Sequence, residues 1–84
     1  MSLGQDILLT KARIADKKKQ REENTRRADS YIIILRDIFD PYTEDFTEMD
    51  LDRAEVIVKD FNRLQNETKE LDAQIARMEK DLNG

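Results

Sequence analysis

Residues 28–39 read ADSYIIILRDIF and decide the fold, because seven large apolar side chains fall between Tyr31 and Phe39. On a helical wheel, all of them except Ile33 share with Ala28 an arc of about 160°. A helix with a single helical neighbour needs a narrower apolar stripe. An arc this wide is typical of a helix with two or more helical neighbours, as in a bundle.

The residues that follow this stretch end its helix. Asp40 precedes Pro41, and a proline disfavours the helical conformation before it and lacks an N–H to continue the ladder. We therefore expect a helix over residues 5–39 and a turn over residues 40–47, with Asp40 capping a short turn that starts at Pro41. The spacing of Thr47 and Asp50 resembles a capping box, flanked by Phe46 and Leu51 as a hydrophobic staple. The second helix is thus expected over residues 48–82, within a single helical-hairpin domain of residues 1–84.

Both helices have apolar residues at steps of three and four, which indicates a coiled-coil-like seam. In the second helix the expected seam positions are Leu51, Ala54, Val58, Phe61, Leu64, Thr68, Leu71, Ile75, Met78 and Leu82. In the first helix they are Ala28, Ile32, Leu35 and Phe39, and more weakly Ile7, Ile14 and Arg21. A short turn makes the helices antiparallel, and residues whose numbers add up to about 89 should then face each other. This register predicts a polar layer of Arg21, Thr25, Gln65 and Thr68 in the middle of an all-α hairpin.

The apolar residues near the turn predict self-association. The facing part of the second helix, residues 51–64, has an apolar arc of about 140°, so one hairpin leaves apolar surface uncovered on both helices. A homodimer that forms a four-helix bundle is the simplest closed solution. The expected self-association interface consists of Ala28, Tyr31, Ile32, Ile34, Leu35, Ile38, Phe39, Leu51, Ala54, Ile57, Val58, Phe61 and Leu64. Ile33 and Val56 lie outside these arcs and are either isolated exposed aliphatics or a surface for a further protein partner.

The composition argues against an enzyme. The chain has no Cys and no His, so it lacks the commonest metal ligands and the commonest general base near neutral pH. Its only glycines are Gly4 and Gly84, which excludes a glycine loop that cradles phosphate. We expect no catalytic, cofactor-binding or metal-binding residues. With no apolar run near the ~18 residues of a membrane span and no signal-peptide layout, a cytoplasmic protein without membrane association is expected.

Charge is distributed unevenly along the chain. Residues 1–35 carry eight basic and five acidic side chains, whereas residues 36–55 carry two basic and eight acidic ones. The acidic turn is interpreted as solvated capping charge, with a cation site or a dock for a basic partner as alternatives. The basic stretch from Lys17 to Arg27 has its cations scattered round the helix and no aromatic among them. The sequence therefore predicts a self-associating structural or protein–protein interaction module, with nucleic-acid binding through this stretch as the alternative.

Overall fold

The computed structural model describes residues 3–83 as a rod-shaped helical hairpin with extents of 66 × 17 × 15 Å. Helix α1 spans Leu3–Ile38, a single 3₁₀ turn spans Phe46–Glu48, and helix α2 spans Leu51–Asn83. The two long helices pack against each other, and no strand occurs between residues 3 and 83. The prediction of an all-helical hairpin is confirmed. Gly84, which the prediction placed after the second helix, lies outside the described residues.

The connection between the helices is longer than predicted, since it covers residues 39–50 rather than 40–47. Its first part is the expected turn. The Asp40 carboxylate accepts the Tyr42 backbone N–H at 2.9 Å, and the Asp40 carbonyl accepts that of Thr43 at 3.1 Å. The proline-linked turn therefore ends α1 at Ile38 and redirects the chain as its sequence indicates.

The predicted start of α2 is wrong, because Thr47 is not its N-cap. Instead, Asp45 caps the 3₁₀ turn: its carboxylate accepts the Thr47 backbone N–H at 3.0 Å and the Thr47 hydroxyl at 2.8 Å. Asp50 caps α2, accepting the Arg53 backbone N–H at 3.1 Å. The expected staple of Phe46 and Leu51 is also absent, since Phe46 belongs to the 3₁₀ turn and both side chains are exposed.

The Asp45 cap makes a testable prediction. The Thr47 N–H, and secondarily the Thr47 hydroxyl, lower the pKa of the Asp45 carboxyl below its usual 3.8. A carboxyl with a lowered pKa stabilises the folded turn above its ordinary pKa, and this contribution is lost as pH falls through the lowered value. Thr47→Val keeps the N–H but removes the hydroxyl. We expect NMR titration to give an Asp45 pKa that rises in this variant yet stays below 3.8, and a wild-type value at or above 3.8 would contradict the cap.

Most of the buried and half-buried residues of both helices follow a regular alternation of three- and four-residue steps, and the other half-buried side chains, Ile32, Ile34, Asp60, Gln74 and Glu79, lie beside this seam. In α2 these positions are Ala54, Ile57, Phe61, Leu64, Thr68, Leu71, Ile75, Met78 and Leu82. In α1 they are Thr10, Ile14, Lys17, Arg21, Asn24, Ala28, Tyr31, Leu35 and Ile38. Near the turn this seam differs from the predicted one, because Ile57 replaces Val58 in α2, and Tyr31 and Ile38 replace Ile32 and Phe39 in α1.

The register of the hairpin also differs from the prediction. The rings of Tyr31 and Phe61 lie 5.7 Å apart, and the Asn24 amide donates to the Thr68 hydroxyl at 3.2 Å. In both pairs the residue numbers add up to 92 rather than about 89. The first turn of α2 therefore extends past the end of α1, and Asn24 rather than Thr25 lies opposite Thr68. Thr25 and Gln65, which were predicted in the polar layer, are exposed.

Candidate functional site

One side of the hairpin near the turn is apolar. Two neighbouring grooves on this side have Phe61 and Gln65 in common; one is also lined by Thr25 and Ala28, and the other by Val58. Residues four, seven or eleven apart lie on the same side of a helix. Ile32 and Phe39, four and eleven residues after Ala28, therefore belong to this surface, and so does Leu51, seven residues before Val58. We call the surface the apolar face and define it as Ala28, Ile32, Phe39, Leu51, Val58 and Phe61.

The large side chains of the apolar face are only partly covered within one chain. Phe39, Leu51 and Val58 are 48%, 47% and 49% exposed, and the other members of the face are half-buried. Single exposed apolar residues are ordinary, but a contiguous set on one side of a small protein marks an interaction surface. The apolar face is therefore the candidate functional site.

The opposite side of the hairpin is charged. Its two grooves have Glu67 in common and are lined mainly by charged and amide side chains; these include Gln20, Glu23, Arg27, Asp60, Arg63, Glu70 and Gln74. We call this surface the polar face. Charged residues are depleted from the centres of protein interfaces, so the polar face is suited to water and the apolar face to a partner.

The isolated hairpin also has a large accessible surface for its mass. It exposes 6,895 Å², whereas a compact monomer of 9.9 kDa exposes about 5,200 Å². The excess of about 1,700 Å² follows from the rod shape, which buries only one seam. A standard interface removes about 800 Å² from each partner. The hairpin could thus form such an interface and still expose as much surface as a compact protein.

The structure divides the thirteen predicted interface residues into an internal and an external set. Ile38, Ala54, Ile57 and Leu64 are buried between α1 and α2. Tyr31, Ile34 and Leu35 are half-buried and pack against the cluster of Ile38, Ala54 and Ile57. The remaining six are the residues of the apolar face; of these, Ala28 and Phe61 also belong to the seam, whereas Ile32, Phe39, Leu51 and Val58 lie beside it. The sequence pattern therefore found the apolar residues but did not separate those that hold the hairpin together from those that remain outside.

Ile33 and Val56, the predicted surface for a further partner, are both exposed, at 67% and 61%. Ile33 lies two residues from Tyr31 and from Leu35, and therefore on the side of α1 that faces away from α2. Val56 is two residues from Val58, about 200° round α2 from the apolar face. The two side chains lie on the outer sides of different helices and form no continuous surface, so their role in partner binding stays a prediction.

The basic stretch is partly engaged by side chains of α2. Lys17 donates to the Gln74 amide oxygen at 2.8 Å, Lys18 pairs with Glu79 at 2.7 Å, and Arg21 pairs with Asp72 at 3.2 Å. A nucleic-acid interface requires cations that converge on one accessible face for the phosphates. These intramolecular pairs place three cations of the stretch against carboxylate or amide groups, which makes the stretch less suited to phosphate binding.

The acidic turn uses its carboxylates as caps. Asp40, Asp45 and Asp50 each accept a backbone N–H of the turn or of the first turn of α2. Among residues 3–83, no three acidic side chains come close enough together to hold a metal ion. The geometry therefore favours the capping interpretation of this charge over the cation site.

Neither helix, over the described residues 3–83, contains a segment that is apolar and long enough to cross a membrane. Comparison of the chain with protein-family models, curated proteins and solved structures gave no significant match.

Proposed function

We propose that the chain is a self-associating helical hairpin that acts as a structural or protein–protein interaction module and has no catalytic activity of its own. In this proposal two copies pack through their apolar faces and form a four-helix bundle. The observation that carries the proposal is the apolar face, a contiguous and half-exposed surface beside a core that, among residues 4–83, has five buried apolar side chains. A second copy covers this surface with an identical one, as a two-fold interface requires.

The small core gives self-association a role in stability. Over the side chains that the structure describes, the buried apolar residues are Ile14, Ile38, Ala54, Ile57 and Leu64, and none of these five is fully shielded from solvent. Cores of this size rarely supply more than about 3–5 kcal/mol. Because a partner that binds only the folded chain stabilises it by mass action, dimerisation would raise the free energy of unfolding as the protein concentration increases.

The proposal is tested by two matched valine substitutions in α2. Val58→Asp places a carboxylate in the apolar face, whereas Val56→Asp makes the same chemical change on the outer side of the same helix. We expect Val58→Asp to weaken the dimer at least about tenfold, or about 1.4 kcal/mol, because the interface would desolvate an unpaired charge. Val56→Asp should leave the dissociation constant within about twofold of the wild type. Sedimentation velocity over a range of concentrations measures both.

Circular dichroism of both variants establishes that the helices remain folded. A wild-type chain that stays monomeric and cooperatively folded up to millimolar concentration would refute self-association. Equal weakening by the two substitutions would show that association does not use the apolar face.

A further inference from the structure

We infer that the two hairpins of the dimer run antiparallel, so that each acidic turn lies alongside the middle of the partner rather than beside the partner's acidic turn. This inference rests on the proposed function, because it requires a second copy of the chain to cover the apolar face. It adds the orientation, which determines whether the dimer extends beyond the length of one hairpin.

The apolar face lies at the turn end of the rod. Ala28, its member farthest from the turn, is ten residues before the end of α1, or about 15 Å along a helix of 36 residues. Beyond it the same side becomes polar, with Arg21, Lys69 and Asp72 lining the groove. Two apolar faces can therefore meet only near the turns. A two-fold axis allows two face-to-face arrangements: turns side by side, or turns pointing in opposite directions.

The charge of the turn favours the antiparallel arrangement over the parallel one. Residues 36–55 carry eight acidic and two basic side chains. The parallel arrangement brings two such segments together, and like charges within about 10 Å repel even at physiological ionic strength. The antiparallel arrangement moves each acidic turn towards the groove of the other copy that is lined by Arg21, Lys69 and Asp72, which has a net charge of +1 with Arg21 paired to Asp72. Electrostatic complementarity of this kind fixes the orientation of an interface more than its affinity.

The shape of the apolar face favours the same arrangement. Ala28 lines a groove of about 330 Å³ between α1 and α2, whereas Phe39 is 48% exposed. In the antiparallel arrangement each α1 crosses the α1 of the other copy. A two-fold axis that crosses α1 between Ile32 and Ile34 lies midway between Ala28 and Phe39. Each Phe39 is then level with the Ala28 groove of the second copy, whereas the parallel arrangement directs it towards a second acidic turn.

The orientation can be measured with a single spin label, because the chain has no cysteine of its own. Lys80 is exposed and lies 22 residues after Val58 in α2, about 33 Å along the helix. With the two-fold axis near Val58, nitroxides on Lys80→Cys are expected about 65 Å apart in the antiparallel dimer. In the parallel dimer the labels would lie level with each other on diagonally opposite helices of the bundle, within about 20 Å. Double electron–electron resonance on the full chain distinguishes these distances.

A dominant distance between the nitroxides above about 45 Å would support the antiparallel dimer, provided that the labelled variant has the dissociation constant of the wild type. A shorter distance in a sedimenting dimer would overturn the inference while leaving self-association intact. A chain that sediments only as a monomer and gives no intermolecular distance would instead overturn the proposed function. The two failures are therefore distinguishable.

Discussion

Replacing Leu64 by Ala is expected to lower the free energy of unfolding by about 2–5 kcal/mol. Leu64 is 3% exposed and is among the few buried residues of the hairpin. The substitution loses the transfer free energy of the deleted groups and leaves a cavity. Ala28, which lines the same groove, is too small to fill that space, so we expect a value in the upper half of the range.

The expected effect is large relative to the stability of so small a domain. For a chain of this length about 1 kcal/mol changes the melting temperature by about 4–8 °C, so a loss of about 4 kcal/mol lowers it by roughly 16–32 °C. Thermal unfolding followed by circular dichroism measures this change. The wild type and variant must be compared at equal concentration, because a dimer has a concentration-dependent melting temperature.

Leu8→Ala is the matched control, since it deletes the same atoms from a side chain that is 67% exposed. Its effect should stay within about 0.5 kcal/mol. If the two leucine substitutions lowered the melting temperature equally, Leu64 would not be a core residue and the observed packing of α1 on α2 would be wrong.

The two helices and the turn could be predicted from the sequence because their signals are local. Pro41 ends α1, and the scarcity of glycine and proline elsewhere leaves long uninterrupted helical segments. The start of α2 was misplaced because Thr47 has the spacing of a cap, whereas two nearby aspartates, Asp45 and Asp50, are the residues that accept the backbone N–H groups. Asp45 engages Thr47, and α2 therefore begins only after Asp50.

It was harder to predict which apolar side chains near the turn face the other helix, that is, the phase of the seam. Every residue from Tyr31 to Leu35 is apolar, so this stretch alone does not indicate which side chains face α2. Ile57 and Val58 present the same ambiguity. The signal that resolves it lies farther along the chain, because alternating steps of three and four counted back from Leu82 arrive at Ile57. The external set of apolar residues depends on this phase and on the register, so the apolar face could not be outlined before both were known.

The polar layer, which in the structure contains Asn24 and Thr68, is expected to lower stability, so its replacement should have the opposite effect on the free energy of unfolding. Replacing Asn24 and Thr68 together by Leu is expected to raise the free energy of unfolding by about 1–3 kcal/mol, because polar seam residues lower stability and apolar ones add burial. The Asn24 amide and the Thr68 hydroxyl are half-buried and bond to each other across the seam. Thr68 also donates to the Leu64 carbonyl at 2.7 Å, an acceptor that keeps its helical hydrogen bond in the variant.

Asn66→Leu is the matched control for Asn24→Leu, because it makes the same substitution at an exposed position of α2. Both changes replace Asn by a better helix former, so the difference between their melting temperatures isolates burial in the seam. We expect Asn24→Leu to raise the melting temperature by several degrees more than Asn66→Leu does. An equal or smaller rise would show that Asn24 does not lie between the helices.

The same double variant tests what the polar layer contributes besides stability. The hydrogen bond between Asn24 and Thr68 can form in only one register, whereas leucines at both positions also pack when one helix slides along the other by a heptad. A more stable chain is therefore expected to be less uniform, with additional oligomers in sedimentation velocity. A variant that is both more stable and as uniform as the wild type would show that the apolar residues near the turn set the register alone. In that case the polar layer would lower stability without providing specificity.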